Sequence, residues 1–260
     1  MGALRRGRLT TIGVTAAALA AFATAGYTAG TAAAAPGSPA QTTRLMARTA
    51  PAAPAYAPSK RTLREGMSGA DVKALQRRLA TLKYYPGVIN GTFGANTLEA
   101  VWAFQEVNGL SVDGVVGPAT KRALVHPRTY KAHDPRQDRT RIEVNLRTRV
   151  LVLYKNGKIS LISHVSSGGG YYYCSTGGCA YAITPTGNFR TTVYLPGWVT
   201  VPLGEMYNPV FFVGTVFAIH GDTDVPVEPV SHGCIRIPMD IAAFFHTRVK
   251  TPGTEVFVYA

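Results

Sequence analysis

The chain has 260 residues, 46% of them apolar and 10% aromatic, which is enough for one large core or two small ones and excludes a disordered protein. It carries 27 Lys and Arg against 14 Asp and Glu, a net charge of +13. That charge is spread out, with no dense basic block and no nucleic-acid-binding motif, so it suits a polyanionic surface better than nucleic acid.

Residues 1–35 read as a processing segment. Arg5, Arg6 and Arg8 precede an apolar, alanine-rich run from Leu9 to Phe22, and Ala23-Thr24-Ala25 and Ala33-Ala34-Ala35 offer small-residue cleavage sites. Cleaved or retained as an anchor, the segment puts the rest of the protein outside the cytoplasm. Residues 36–59, rich in Pro, Ala and Thr, bury too little apolar surface to fold and read as an extended spacer.

Helical periodicity begins in the stretch 60–126. Val72, Leu75, Leu79 and Leu82 recur at helical spacing behind Ser68-x-x-Asp71, a capping-box pattern. Leu98, Val101, Phe104 and Val107 mark a second helix, stopped by Asn108-Gly109. Pro118 opens a short third one that ends near Leu124, completing a small three-helix bundle. Asn90-Gly91-x-x-Gly94-x-x-Thr97 and Asp113-Gly114-x-x-Gly117-x-x-Thr120 repeat 23 residues apart. Glycine permits positive φ and Asn or Asp closes a turn with its side chain, so the repeat reads either as two equivalent turns or as ligand contacts. Residues 127–138 form a polar linker, and His126 and His133 at this junction read as solvated loop residues.

From Arg139 the pattern alternates. Ile142, Val144 and Leu146 begin it, and two apolar runs, Val150–Tyr154 and Ile159–Val165, flank the hairpin signal Asn156-Gly157. Further strand-like runs lie at Thr191–Leu195, Val210–Ile219 and Glu255–Tyr259, with one short helix from Pro238 to Thr247. Residues 139–260 therefore read as a mainly-β sandwich or barrel-like domain. His164 reads as a packed strand histidine and His246 as a helix-end residue complementing the dipole.

Three cysteines leave one unpaired. Cys174 and Cys179 bracket Ser175-Thr176-Gly177-Gly178, a loop short enough for a disulfide to close, which leaves Cys234 as the free thiol. A bridge from Cys174 or Cys179 to Cys234 is the opposing pairing. Chemistry converges between His220-Gly221 and Ser231-His232-Gly233-Cys234-Ile235-Arg236. Acyl transfer needs a thiolate, an imidazole to take its proton and backbone N–H groups for an oxyanion. Gly233, without a Cβ, leaves room for a carbonyl to approach Cys234. Spacing does not choose between His220 and His232 as the base. The same His220, His232 and Cys234 are of zinc-ligand type but lack the short paired spacings of zinc sites.

The His-Gly pair, the spacer and the block Ser231-His232-Gly233-Cys234-Ile235-Arg236 resemble the L,D-transpeptidases of bacterial cell-wall synthesis, supported by Thr184-Pro185-Thr186-Gly187-Asn188-Phe189 upstream. Residues 60–125, with Asp71-Val72, Leu75-Gln76, Tyr84-Tyr85-Pro86-Gly87, Ala100-Val101, Phe104-Gln105 and the two glycine loops, resemble the peptidoglycan-binding module of wall enzymes. The first resemblance implies Cys234 as nucleophile, His220 as general base oriented by a backbone carbonyl, and His232 as an assisting residue. It also implies that Gly233 and the Cys234 N–H form the oxyanion hole, and that Ser231 and Arg236 act toward substrate. Gly221, following His220, offers such a carbonyl and is counted with Tyr173, a candidate groove residue, among the substrate-binding positions. The implied reaction removes the terminal D-alanine of a peptidoglycan tetrapeptide stem through a Cys234 thioester and forms a 3→3 cross-link on a neighbouring stem. The alternatives are an L,D-carboxypeptidase using the same residues and a non-catalytic peptidoglycan-binding protein. No cofactor, metal, nucleic acid or stable protein partner is expected; peptidoglycan stem peptides, glycan and carbapenem-type inhibitors are, in a secreted, wall-associated protein.

Overall fold

The computed structural model describes residues 56–134, 139–175 and 177–260, so the expected processing segment and most of the spacer lie outside the described residues. The helical part contains α1 (Ala70–Thr81), α2 (Ala95–Asn108) and α3 (Pro118–Val125). Pro118 opens α3, and α2 stops at Gly109 in the left-handed conformation, as the sequence signals predict. The start of α1 differs. Gly69 is its N-cap and no side chain caps it. Asp71 instead accepts from the Arg61 guanidinium at 2.7 Å and the Ser59 hydroxyl at 2.8 Å, and the Arg61 contact holds its carboxyl far below the usual carboxylate range.

The glycine repeat is two equivalent turns, each clasped by a buried glutamine. Gln76 accepts from the Gly91 N–H at 2.9 Å and donates to the Thr92 carbonyl and the Thr97 hydroxyl, both at 3.0 Å. Gln105 repeats this with the Gly114 N–H at 3.0 Å, the Val115 carbonyl at 3.1 Å and the Thr120 hydroxyl at 3.3 Å. Asn90 and Asp113 close their turns by accepting from the N–H groups of Thr92 and Val115.

The β part contains β1 (Arg141–Asn145), β2 (Val150–Lys155), β3 (Lys158–His164), β4 (Tyr172–Ser175), β5 (Gly178–Tyr181), β6 (Gly187–Arg190), β7 (Trp198–Val201), β8 (Gly204–Val213), β9 (Phe217–Asp222), β10 (Ile235–Pro238) and β11 (Glu255–Tyr259), with α4 (Met239–Phe245) after β10. They form a five-stranded sheet ordered β3-β2-β1-β11-β6, a four-stranded sheet ordered β10-β9-β8-β7 and the hairpin β4-β5. Between the two larger sheets, Ile142, Val144, Leu151, Leu153 and Leu161 pack with Val210, Phe212, Ile219, Ile235 and Ile237, and α4 adds Ile241 and Phe245. Every residue of β2 but its last is buried, because the residues facing away from that core are covered too. Val150, Val152, Tyr154 and Ile162 join Leu75, Tyr84, Val101 and Phe104 in a second core, so the binding-module helices pack directly on the five-stranded sheet.

Several expectations shift. Asn156-Gly157 does form the tight β2–β3 turn, with φ of 49° and 74°. The run Val210–Ile219 is cut in two at Gly214, whose φ is 52°. Thr191–Leu195 is not a regular strand: the Thr191 N–H donates to the Thr254 carbonyl and its hydroxyl to the Lys250 carbonyl, and the residues that follow run antiparallel beside β8 with an isolated bridge from Tyr194 to Val210, while β6 takes the edge of the five-stranded sheet. Pro238 ends β10, so α4 starts one residue later and gives way to a 3-10 turn at His246–Arg248. There His246 stacks on Tyr194 at 4.4 Å.

His126 and His133 are exposed, in keeping with the linker reading, but the end of the described linker is tied to the β domain. His133 stacks on Tyr259 at 3.9 Å and the Tyr130 and Tyr259 hydroxyls lie 2.6 Å apart. The cause is Arg141, fully buried, whose guanidinium reaches Glu143 at 2.8 Å and the Asp134 carbonyl at 2.9 Å and lies over the Tyr154 ring. Glu143 in turn accepts from the His133 and Asp134 N–H groups. A buried guanidinium needs such partners, and the linker supplies them.

Candidate active site

The site is set by two parallel neighbours, β9 and β10, in which Ile219 faces Ile235 and His220 faces Arg236. Alternation along the strands turns His220, Cys234 and Arg236 to one side, out of the Ile219–Ile235 core. They open into a cavity of about 480 Å³ that Tyr173, Ser231, His232, Phe217 and Met206 also line. The Ala218 N–H points at the Cys234 sulfur at 3.4 Å.

His220 is buried, and its Nδ1 lies 3.0 Å from the Gly221 carbonyl. That oxygen can only accept, so Nδ1 carries the proton and Nε2 of the neutral ring is left unprotonated. Burial pushes the His220 imidazole below its ordinary value, and burial pushes the Cys234 thiol up despite the Ala218 N–H and the Arg236 charge. Both directions favour a neutral thiol beside a neutral imidazole over a preformed ion pair.

The loop before Cys234 is braced by the chain that follows β3. The Ser166 hydroxyl donates to the Glu228 carbonyl at 2.8 Å and accepts from the Val230 N–H at 3.2 Å. The Ser231 N–H donates to the Ser167 carbonyl. Ser231 is itself buried; its hydroxyl donates to the Cys234 carbonyl at 2.6 Å and accepts from the Gly233 N–H at 3.0 Å. Thr184 completes the brace, donating to the Gly233 carbonyl at 2.8 Å and accepting from the Gly168 N–H at 2.9 Å. Ser166 carries no signal in the sequence. Thr184 opens the singled-out Thr-Pro-Thr-Gly stretch, but its hydrogen bonds span 49 residues to Gly233 and are not legible locally.

Gly233 is required for a reason other than carbonyl access. Its φ is 136°, and a Cβ there would lie 2.5 Å from the Phe217 ring and 2.8 Å from the Ile183 carbonyl. The space is filled by protein, and the Gly233 N–H is engaged by Ser231. Gly221 lies outside the cavity lining: a Cβ on it would meet Ala242, Met239 and Tyr207, so it lets α4 pack on β9 while its carbonyl holds His220.

His232 lines the cavity, with Tyr173 edge-on at 4.7 Å and Tyr171 at 5.6 Å. Arg236 is partly engaged, in a 3.1 Å ion pair with Asp222 and a hydrogen bond to the Asp224 carbonyl. Asp222 therefore serves Arg236 and does not orient His220. Cys174 and Cys179 are disulfide-bonded directly across β4 and β5, and Cys234 is free. The hairpin they close lends Tyr173, Ser175 and Gly177 to the cavity wall. Among the described residues no three His, Cys, Asp or Glu side chains are grouped to hold a metal ion.

The model of the L,D-transpeptidase catalytic domain family matches residues 139–258, and that of a peptidoglycan binding domain matches residues 68–124. The crystal structure of an L,D-transpeptidase from Xylanimonas cellulosilytica (residues 123–326) superposes with a TM-score of 0.73 at 33% identity, covering 78% of this chain and 100% of that one. The chain belongs to the L,D-transpeptidase family. It joins a helical peptidoglycan-binding region to a mainly-β catalytic domain. Curated relatives are similar over shorter stretches. A spore cortex-lytic enzyme of Bacillus cereus is 43% identical over 72 residues, 28% of each chain. A zinc D-Ala-D-Ala carboxypeptidase of Streptomyces albus G is 48% identical over 64 residues, 23% of this chain and 24% of its own. The chain thus spans about a quarter of the length of these relatives.

Proposed function

We propose that this L,D-transpeptidase-family enzyme cleaves the terminal D-alanine from a peptidoglycan tetrapeptide stem through a Cys234 thioester and passes the acyl group to the amine of a neighbouring stem, making a 3→3 cross-link. The observation that carries the reading is the placement of His220 on β9 and of Cys234 immediately before the adjacent parallel strand β10, in one cavity. As the Cys234 sulfur attacks the carbonyl of the third stem residue, His220 Nε2 takes the thiol proton. The Gly221 carbonyl holds the tautomer that makes this possible. With the Gly233 N–H engaged by Ser231, the Cys234 N–H is the main-chain donor for the oxyanion. The tetrahedral intermediate collapses to a thioester as His220 returns the proton to the departing D-alanine amine. The acceptor amine then attacks the thioester, forming the amide and restoring the thiol.

His232, held by Tyr171 and Tyr173, shapes the donor side of the cavity, and Arg236 presents positive charge toward a stem carboxylate. Residues 60–126 hold the enzyme on peptidoglycan, 139–260 perform the reaction, and residues 1–35 send the protein out of the cytoplasm to the wall. Carbapenem-type inhibitors acylate Cys234.

The test is incubation of the protein with tetrapeptide muropeptides and identification of products by mass, beside Cys234→Ala. A dimer lacking one D-alanine, absent with the variant, supports the reading. Tripeptide without dimer replaces it with an L,D-carboxypeptidase, water resolving the same thioester. No reaction from either protein leaves a peptidoglycan-binding protein.

A further inference from the structure

The reaction above makes no use of a buried polar contact between the binding-module helix α2 and the strand β3. His164, the last residue of β3, is 1% exposed. Its Nδ1 lies 3.0 Å from Glu106 Oε1 on α2, and its Nε2 lies 2.9 Å from the Pro226 carbonyl. Pro226 belongs to the loop that leads from β9 into Ser231 and Cys234. One imidazole therefore touches the binding module on one side and the catalytic loop on the other.

Both ring nitrogens face oxygens, and a neutral imidazole donates through only one. The two contacts are met together only when the His164–Glu106 pair holds one proton more than a carboxylate and a neutral ring. Either an imidazolium donates to both oxygens, or a protonated Glu106 donates to Nδ1 while the Nε2–H donates to Pro226. The surroundings favour keeping that proton. Burial works against a charged ring, but the Glu106 hydrogen bond and charge outweigh it and hold His164 above the ordinary imidazole value; burial likewise raises Glu106. The other groups facing the pair are Glu99, also on α2, which favours the proton; Arg149, 3.5 Å from Glu106, which opposes it; the Tyr84 hydroxyl; and the Trp102 ring, edge-on to His164 at 5.5 Å.

We propose that His164 and Glu106 form a proton-dependent bridge by which α2 of the binding module positions the Cys234 loop. His164 is a positioning residue, acting through Pro226 and never touching substrate. The far half of the loop has its own ties in Ser166 and Ser167, so the bridge governs residues 223–227. Because the bridged form holds the extra proton, the contact is complete at low pH and is lost as pH rises through the folded-state value of the pair. The inference uses the placement of Cys234 beside this loop and is independent of which acceptor resolves the thioester.

Glu106→Gln separates the proton from the contact. A glutamine amide can donate to Nδ1 while the Nε2–H donates to Pro226, so both contacts survive with no extra proton. His164→Leu removes the donor to Pro226 at every pH. The full chain and both variants are compared from pH 6 to 9 by hydrogen exchange at residues 223–230 and by iodoacetamide alkylation of Cys234, neither of which needs turnover; kcat and KM follow where turnover is seen. In the wild type, exchange at 223–227, corrected for its intrinsic pH dependence, should rise about tenfold across that range, the scale of one lost charge-assisted hydrogen bond. Glu106→Gln should be flat and slow, His164→Leu flat and fast, the latter with kcat lowered and KM little changed. A Glu106→Gln protein that opens with pH as the wild type does would overturn the bridge, and so would His164→Leu with wild-type exchange at 223–227. If His164→Leu does not fold, the comparison of Glu106→Gln with wild type decides alone. Absence of cross-linking would count against the proposed reaction and leave these exchange results standing.

Discussion

Alanine at position 233 tests whether the Cys234 thiol is held by packing or merely exposed to solvent. The glycine sits at φ 136°, a region that costs a side-chain-bearing residue about 1–3 kcal/mol. The new Cβ would also lie 2.5 Å from the Phe217 ring and 2.8 Å from the Ile183 carbonyl. Relieving such overpacking costs a further ~1–3 kcal/mol. Phe217 is half-buried and can swing aside, but the Ile183 carbonyl moves only with the chain beside Thr184, which is tied to the Gly233 carbonyl and the Gly168 N–H. The total is about 2–6 kcal/mol, or roughly a 5–20 °C loss in Tm for a unit of this size. Adding Phe217→Ala should recover the ring clash and leave the backbone cost, so the double variant should be less damaged than additivity predicts. Calorimetry gives the Tm, and the rate of Cys234 alkylation reports whether the thiol is still placed. A Gly233→Ala protein with wild-type Tm and wild-type alkylation would refute the reasoning, since neither the φ nor the contact could then be limiting.

Three further outcomes follow from other parts of the molecule. Arg141→Met should destabilise by about 3–5 kcal/mol in denaturant titration, because it leaves the buried Glu143 carboxylate without its guanidinium; a cost under about 1 kcal/mol would mean water reaches that site. With burial raising the Cys234 thiol and lowering the His220 ring, the alkylation rate should keep climbing with pH past the usual thiol midpoint near ~8.5, and His220 should stay neutral until pH falls below ~6.5. A plateau already reached at neutral pH would show a preformed thiolate. Replacing both Cys174 and Cys179 by serine should loosen the β4–β5 hairpin by about 2 kcal/mol, the loop-closure value for so short a ring, and raise KM more than it lowers Tm, because that hairpin walls the cavity with Tyr173. Equal kcat and KM in the serine variant would assign the hairpin no part in substrate binding.

The sequence by itself determined the class of each half, most of its regular elements and the identity of the free thiol. These are local or periodic features. Helical spacing gave α1 and α2, Pro118 and Gly109 gave two helix ends, Asn156-Gly157 gave a hairpin, and the count of three cysteines singled out Cys234. What failed was set by partners distant in the chain. Thr191–Leu195 has strand-like residues but makes only an isolated bridge to β8 while Thr191 is tied to Lys250 and Thr254, and the end of the linker is fixed because a buried arginine on β1 needs the Asp134 carbonyl. The choice of nitrogen on His220 came from the Gly221 carbonyl, and the reason for Gly233 came from Phe217 and Ile183, none of which spacing could show. Nor does any local signal announce that α2 covers β2 and β3 or that His164 reaches both Glu106 and Pro226. Local patterns fix which residues can form an element; which faces meet is decided by the joint burial of apolar surface and the pairing of buried polar groups, and both exist only once the chain is folded.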